Sequence, residues 1–297
     1  MLTTFARTRG PIYVCDPNNL YAASFDGVDD YLLRGGTGVM KGWQRHVFSM
    51  WINIQAPYWP STALRWFYGQ GLLNNNLEDF IRIYYQPSST SNFIEFEFRH
   101  SGTSNAIRKQ WALHTPANSP ITGSTSSTNY WTSSNANINK NSNGYVHLMF
   151  IYTPTSIGNS TTASEVECWW NGQQLTASFS SKLGSVVSTG VTTTTQGVSI
   201  NPSSLSTVNC TPMYMDQLAI FSANAEDILA TNLGLSLNTN QDAVDMLYNG
   251  GCPRYLPVDG RYPLVWNFEN NWDWDQSAFA GGLWTTYNGP TFTSNHA

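Results

Sequence analysis

The stretch NFIEFEFRH, Asn92 to His100, places Ile94, Phe96 and Phe98 on one side of an extended backbone and Glu95, Glu97 and Arg99 on the other. That period of two predicts a strand with one face in a core. The stretches HVFSMWINIQ (46–55), DFIRIYYQ (79–86), YVHLMFIY (145–152), SEVECWWNGQQL (164–175) and PMYMDQLAIF (212–221) predict further strands. They are apolar on both faces, as strands at the centre of a sheet tend to be. Asn171-Gly172 predicts a two-residue hairpin, because a turn of the right twist needs positive φ at both positions. Trp51, Phe150 and Trp170 lie in these strands and are expected in the core.

Helical signals cluster after the last of these strands. Asn224 is placed to cap AEDILATN (225–232), and Thr239 with Asp242 resembles a capping box opening QDAVDMLYN (241–249), which Gly250 would end. The segments 115–143, 155–164 and 178–209 are rich in Ser, Thr and Asn and read as loops. The expectation is an all-β chain with one or two short helices in its C-terminal third. No fixed-period repeat is visible, which argues against a propeller or solenoid.

Composition narrows the function. Of the 297 residues 14% are aromatic and only 11% charged, with a formal net charge of -5. A binder held by phosphate neutralisation needs the opposite balance, so no nucleic-acid partner is expected. The N-terminal stretch has no apolar run of signal-peptide length, and no later stretch approaches a membrane span. Synthesis in a cytoplasm without a leader is therefore expected. Cys15, Cys168, Cys210 and Cys252 are scattered and read as free buried thiols, with a Cys168–Cys210 pair as the alternative.

Five segments in order resemble one fold family. SFDGVDDYL (24–32), FSMWINI (48–54), YVHLMFIY with VECWWNGQQL, and MDQLAIFSANAEDI (215–228) resemble the signature segments of laminin-G-like domains in the concanavalin A-like lectin/glucanase superfamily. The ending LYNGGCPRYLP (247–257), LVWNFENNWDWDQS (264–277) and YNGPTF is similar to that of phage and bacterial members. The resemblance implies a jelly-roll β-sandwich of two antiparallel sheets over 20–297, preceded by an extended arm, 1–19. It implies ligands on the concave face or rim loops. It also implies a non-enzymatic phage virion protein: a capsid decoration, head fibre or tail-fibre-like module. Its partners would be other virion proteins, copies of itself and a host-surface glycan. A glucanase-type enzyme and a bacterial adhesion module are the alternatives.

Three constellations invite chemistry. Asp26, Asp29 and Asp30 around Gly27 could offer oxygen ligands to calcium, but Asp-Gly turns use such carboxylates to cap their own amides, and no cofactor is expected. Glu95 with Glu97, and Glu165 with Glu167, each put two carboxylates on one strand face about 6.8 Å apart. Such pairs can act as acid and base on a glycosidic bond. However, the glucanase run of Glu, Asp and Glu is not matched, since Arg99 and Trp169 stand next in line. A solvated outer face with cross-strand Glu–Arg or Glu–Lys pairs is expected instead. His46, His100, His114, His147 and His296 show no metal-ligand spacing. The candidate ligand-binding residues are aromatics in polar, breaker-rich surroundings: Tyr58 and Trp59 in QAPYWPS, Trp111 in KQWALH, and Tyr130 and Trp131 in STNYWTSS. Rings flanked by amides and hydroxyls suit a sugar or docking surface.

Overall fold

A computed structural model describes residues 21–34, 46–54, 65–70, 80–86, 93–100, 105–112, 145–152, 166–176, 179–183, 198–200, 212–221, 240–253, 256, 264–267, 285–287 and 289–294. The strands are β1 (Tyr21–Asp26), β2 (Tyr31–Arg34), β3 (His46–Ile54), β4 (Arg65–Gln70), β5 (Phe80–Gln86), β6 (Phe93–His100), β7 (Asn105–Ala112), β8 (Val146–Tyr152), β9 (Val166–Trp170), β10 (Gln173–Gln174), β11 (Phe179–Leu183), β12 (Val198–Ile200), β13 (Pro212–Phe221), β14 (Leu264–Trp266), β15 (Thr285–Tyr287) and β16 (Thr291–Ser294). Helix α1 spans Asn240–Tyr248 and runs into a 3-10 turn at Asn249–Gly251.

The strands form two antiparallel sheets. The first has the order β10-β9-β8-β3-β13-β1-β16, with β14 on the second half of β13; the second is β11-β7-β6-β5-β4-β12-β2-β15. Their inner faces meet in an aromatic core. Phe96 of β6 lies 5.9 Å from Phe48, 6.0 Å from Phe150 and 5.6 Å from Tyr152, ring centre to ring centre, and so joins β6 to β3 and β8. The expected two-sheet sandwich is the observed fold.

Two predicted loops are strands. The segment 178–209 contains β11 and β12, whose FSSKL and VSI are too short and too polar to show an apolar alternation. Similarly, β7 takes in Trp111, which was expected in a rim loop. Its inward positions include Lys109 and Trp111, paired with Phe96 and Ile94 of β6. Lys109 interrupts the apolar face and conceals the period. The lysine is almost fully buried, donates to the Val166 carbonyl of the other sheet and sits 5.5 Å from the centre of the Trp111 ring. Its stem is thus packed in the core while its charge ties the two sheets together.

The first sheet is buried on both faces. All seven residues of β8 are buried. Leu148, Phe150 and Tyr152 point to the second sheet, whereas Met149 and Ile151 join Val47, Trp169 and Ala219 beneath Ala243, Val244, Met246 and Leu247 of α1. The helical residues lie at i, i+1, i+3 and i+4, the stripe a helix needs to cover a sheet. The helix begins at Asn240, beside the predicted capping box. It stops where Asn249, Gly250 and Gly251 take positive φ. The earlier predicted helix, 225–232, lies outside the described residues, as do the arm 1–19 and Trp272 to Asp275.

The hairpin and the helix are fitted to each other. Asn171 and Gly172 have φ of 48° and 78°, as the predicted turn requires. Asn171 exchanges two hydrogen bonds with the backbone of His147, through its own N–H and its side-chain Oδ1. The ring of Tyr248 lies on Gly172, where a Cβ would come within 2.8 Å of Cδ1. Gln241 of α1 also donates to the Gly172 carbonyl at 3.2 Å. Below, Tyr248 stacks on Trp51 at 5.9 Å, and His147 lies 4.9 Å from Trp51. His147 is fully buried, shares a 2.8 Å hydrogen bond with Ser49 through Nε2, and is pushed by burial down to about 3.

The cysteines differ from expectation. Cys168 is a free buried thiol, so it does not pair with Cys210. Burial raises it well above its usual value, and nearby Lys109 opposes this. Cys252, expected free, is disulfide-bonded, and its partner lies outside the described residues.

Two outcomes follow from this layer. Gly172→Ala meets both a left-handed backbone and the Tyr248 ring, so urea unfolding should show a loss of about 1–3 kcal/mol, partly restored by Tyr248→Ala in the same chain. His147 binds a proton more readily unfolded than folded, so stability is complete above about 6.5 and falls as pH drops towards about 3, at up to about 1.4 kcal/mol per pH unit. The acid slope should be shallower in His147→Gln; equal slopes would assign the acid sensitivity elsewhere.

Candidate functional site

The signature turn between β1 and β2 is built by its own carboxylates. Asp26 Oδ1 accepts from the N–H of Val28 at 2.7 Å and of Asp29 at 3.4 Å, and Asp30 Oδ2 accepts from the N–H of Asp26 at 2.9 Å. Gly27 supplies the positive φ of 80°. One oxygen from each of Asp26, Asp29 and Asp30 lies within 4.8 Å of the others. Asp30 is raised by burial and, less strongly, by its two acidic neighbours, while the Asp26 amide pulls it down. The hydrogen bonds of Asp26 and Asp30 are the turn-capping set that the sequence suggested.

The second sheet carries the denser polar arrangement, on the face turned away from the core. Two rows cross it. In one, Gln110 of β7 and Glu95 of β6 are register partners; in the next, Arg108 and Glu97 are. Glu95 is gripped from both sides, because Arg108 donates to its Oε1 through Nε and to its Oε2 through Nη2, and Gln110 also donates to Oε2. The side chain of Arg108 is 40% exposed while that of Glu95 is 0% exposed. The network therefore opens to solvent through its guanidinium.

This corrects one expectation and supports another. Glu95 and Glu97, expected on a solvated face, are 0% and 2% exposed. The cross-strand Glu–Arg pair is present. Residue 108 is separated from Glu95 by 13 positions, and only strand register brings them together, so the sequence offered no direct cue to Arg108 or Gln110. Chemically, both oxygens of Glu95 are occupied by charged or amide donors, which suits a fixed acceptor array rather than a proton shuttle. In the other pair, Glu165 lies outside the described residues. Glu167 accepts from Trp169 Nε1 and from Asn240 Nδ2, tying β9 to the first residue of α1.

The five candidate aromatics fare unequally. Trp111 is 1% exposed and packs edge-on against Phe150 at 5.7 Å, so it belongs to the core and not to a rim. Tyr58, Trp59, Tyr130 and Trp131 lie outside the described residues. Register nevertheless shows where their segments join the sandwich. Arg65, Tyr85, Ile94 and Trp111 form one row across β4, β5, β6 and β7. The segment 55–64 enters β4 at Arg65, and 113–144 leaves β7 after Ala112. Both therefore attach at the same end of the second sheet, one row from Glu95.

Ser49 and His147 resemble a nucleophile and base, but the pair is sealed. Both are 0% exposed, and His147 Nδ1 has no hydrogen-bond partner among the described residues to orient it. A hydrolytic triad needs both access and that third group.

No family model matches the chain, and no curated protein does. The chain is similar to several solved structures only at a low level. A structure of botulinum neurotoxin type C concerned with its interaction with two ganglioside molecules is 13% identical over 73% of this chain and 38% of that one, with a TM-score of 0.39. The CBM40 of the Ruminococcus gnavus IT-sialidase is 7% identical over 66% and 90%, with a TM-score of 0.36. Tailspike protein 2 of an Escherichia coli O157:H7 bacteriophage is 11% identical over 84% and 27%, with a TM-score of 0.42. The chain thus spans well under half of the toxin and tailspike chains. Likenesses this distant say nothing of function, and the sandwich rests on the strand pairing itself.

The Glu95 network makes an ordered stability series. Arg108→Met strands a buried carboxylate and should cost about 2–4 kcal/mol, whereas Glu95→Gln removes the charge with the same shape and should cost less. Denaturant melts giving the reverse order would mean that Arg108 does not hold Glu95 in solution.

Proposed function

We propose that the chain is a non-enzymatic surface protein of a phage particle, of the concanavalin A-like, laminin-G-like kind, and that it binds host-surface glycan. The glycan reading is carried by the row Arg65–Tyr85–Ile94–Trp111, which roots the segments holding Tyr58, Trp59, Tyr130 and Trp131 at one end of the second sheet. The attachment points lie one register row from the Glu95–Arg108–Gln110 array. Rings for the apolar faces of sugars and fixed polar groups for their hydroxyls are what such a ligand requires. The engagement of Glu95 supports a binding role over hydrolysis. The virion reading rests on the sequence resemblance, and the disulfide at Cys252 suits a protein that functions outside a reducing cytoplasm.

The test joins location to activity. Labelled antibody on purified particles should mark the head or the tail, and the isolated protein should retain a glycan on an array without cleaving it. Trp59→Ala with Trp131→Ala should weaken that retention about tenfold or more. Hydrolysis of a β-glucan that is lost in Glu97→Gln would instead make the chain a glucanase-type enzyme.

A further inference from the structure

Helix α1 covers only part of the outer face of the first sheet. It ends at Tyr248, and beyond that ring the register lines up Thr291 of β16, Ser24 of β1, Tyr214 of β13 and Asn53 of β3 as successive cross-strand neighbours. Ser24, Tyr214 and Asn53 are half-buried, Thr291 is exposed, and Tyr248 borders the row half-buried. The floor is rigid: Trp51, Ala22 and Tyr145 are buried, with Tyr214 and Tyr248 packed against them. Four strands at about 4.8 Å spacing make this a row of about 14 Å.

Its chemistry is specific in kind. Two tyrosine rings stand on an aromatic floor, and between and beside them are an amide and two hydroxyls. No side chain in the row carries a formal charge, and Asp216, the carboxylate nearest in sequence to Tyr214, is buried. Rings seated on a fixed floor lose little entropy when a ligand stacks on them, and the amide and hydroxyls pair with ligand hydroxyls. Among the described residues of the row, none offers a charge to neutralise a charged partner.

We propose that this tyrosine-bordered row is a second ligand site, and that it takes a neutral saccharide. The proposal rests on the glycan-binding reading above, but it places a site on the opposite sheet from the one rooted at Arg65 and Trp111.

The test is saturation-transfer NMR and calorimetry on the full chain with uncharged maltose-, cellobiose-, mannose- and galactose-based oligosaccharides. Asn53→Ala and Tyr214→Ala should each weaken binding of the best of these about tenfold or more. Near-ultraviolet circular dichroism checks folding, and Tyr214→Phe, which keeps the ring on its floor, should retain stacking and lose only part of the affinity. If the wild-type chain binds a saccharide and Asn53→Ala and Tyr214→Ala leave it unchanged while Trp59→Ala abolishes it, this site is refuted and the glycan reading stands. If the wild-type chain binds none of these or any array glycan, both readings fall. If only charged glycans bind, and only through Trp59 and Trp131, the neutral site is again refuted.

Discussion

Strand β8 has no solvent-facing side, so a polar group along it can be satisfied only from within the protein. That constraint organises the first sheet. Its inner face meets the aromatic residues of β6 and β7, and its outer face needs α1. Where polar residues stand on the outer face, each is tied to a covering element or a neighbour: Ser49 to His147, and Gln217 Nε2 to Asn267 Oδ1 at 2.9 Å. Asn267 in turn accepts from the Leu256 N–H and donates to the Leu256 carbonyl, clamping the chain that follows α1 onto the sheet. Hydrogen bonds of this kind add modest net stability, but leaving any of them unmade in a dry layer costs more than making it gains.

The second sheet solves the reverse problem. Its inner face includes a charge, Lys109, and its outer face buries two, Glu95 and Glu97. The lysine finds a backbone carbonyl across the sandwich, and Glu95 finds a guanidinium and an amide across the strand. An isolated buried carboxylate would be prohibitive; one with three charge-assisted or amide donors is not. The sandwich is thus apolar where the sheets share aromatic rings and again beneath α1, and polar on the Glu95 face of the second sheet.

Legibility followed apolar period. Strands β3, β5, β8, β9 and β13 were readable because their residues are large and apolar, and the Asn171-Gly172 hairpin because its φ values leave few residues a choice. Strand β7 was hidden by one inward lysine, and β11 and β12 by their small polar residues. On the polar face a cross-strand Glu–Arg pair was expected, but not which residues form it, since the partners of Glu95 are set by register across a hairpin, a relation with no local signature. Trp111 misled for the related reason that polar neighbours on a strand whose outer face is hydrogen-bonded look the same as a loop. The cysteines followed no pattern, because whether a thiol pairs depends on where folding brings it.

The break in period within PMYMDQLAIF gives one strand two different outer surfaces. Met213 and Met215 point inward, and so do Leu218 and Ile220, which are separated from them by three positions rather than two. A regular strand cannot satisfy both pairs, and the register accordingly jumps between Met215 and Gln217 against Ile52 and Trp51 of β3. The bulge takes up Asp216 and resets the face. On one side of it the outward residue is Tyr214, left half-exposed; on the other, Gln217 and Ala219 are outward and lie under the C-terminal layer. One inserted residue therefore lets a single strand serve a closed hydrophobic layer and an open polar row on the same face. Without it, aligning the core of one half would turn the other half's polar residues into the sandwich.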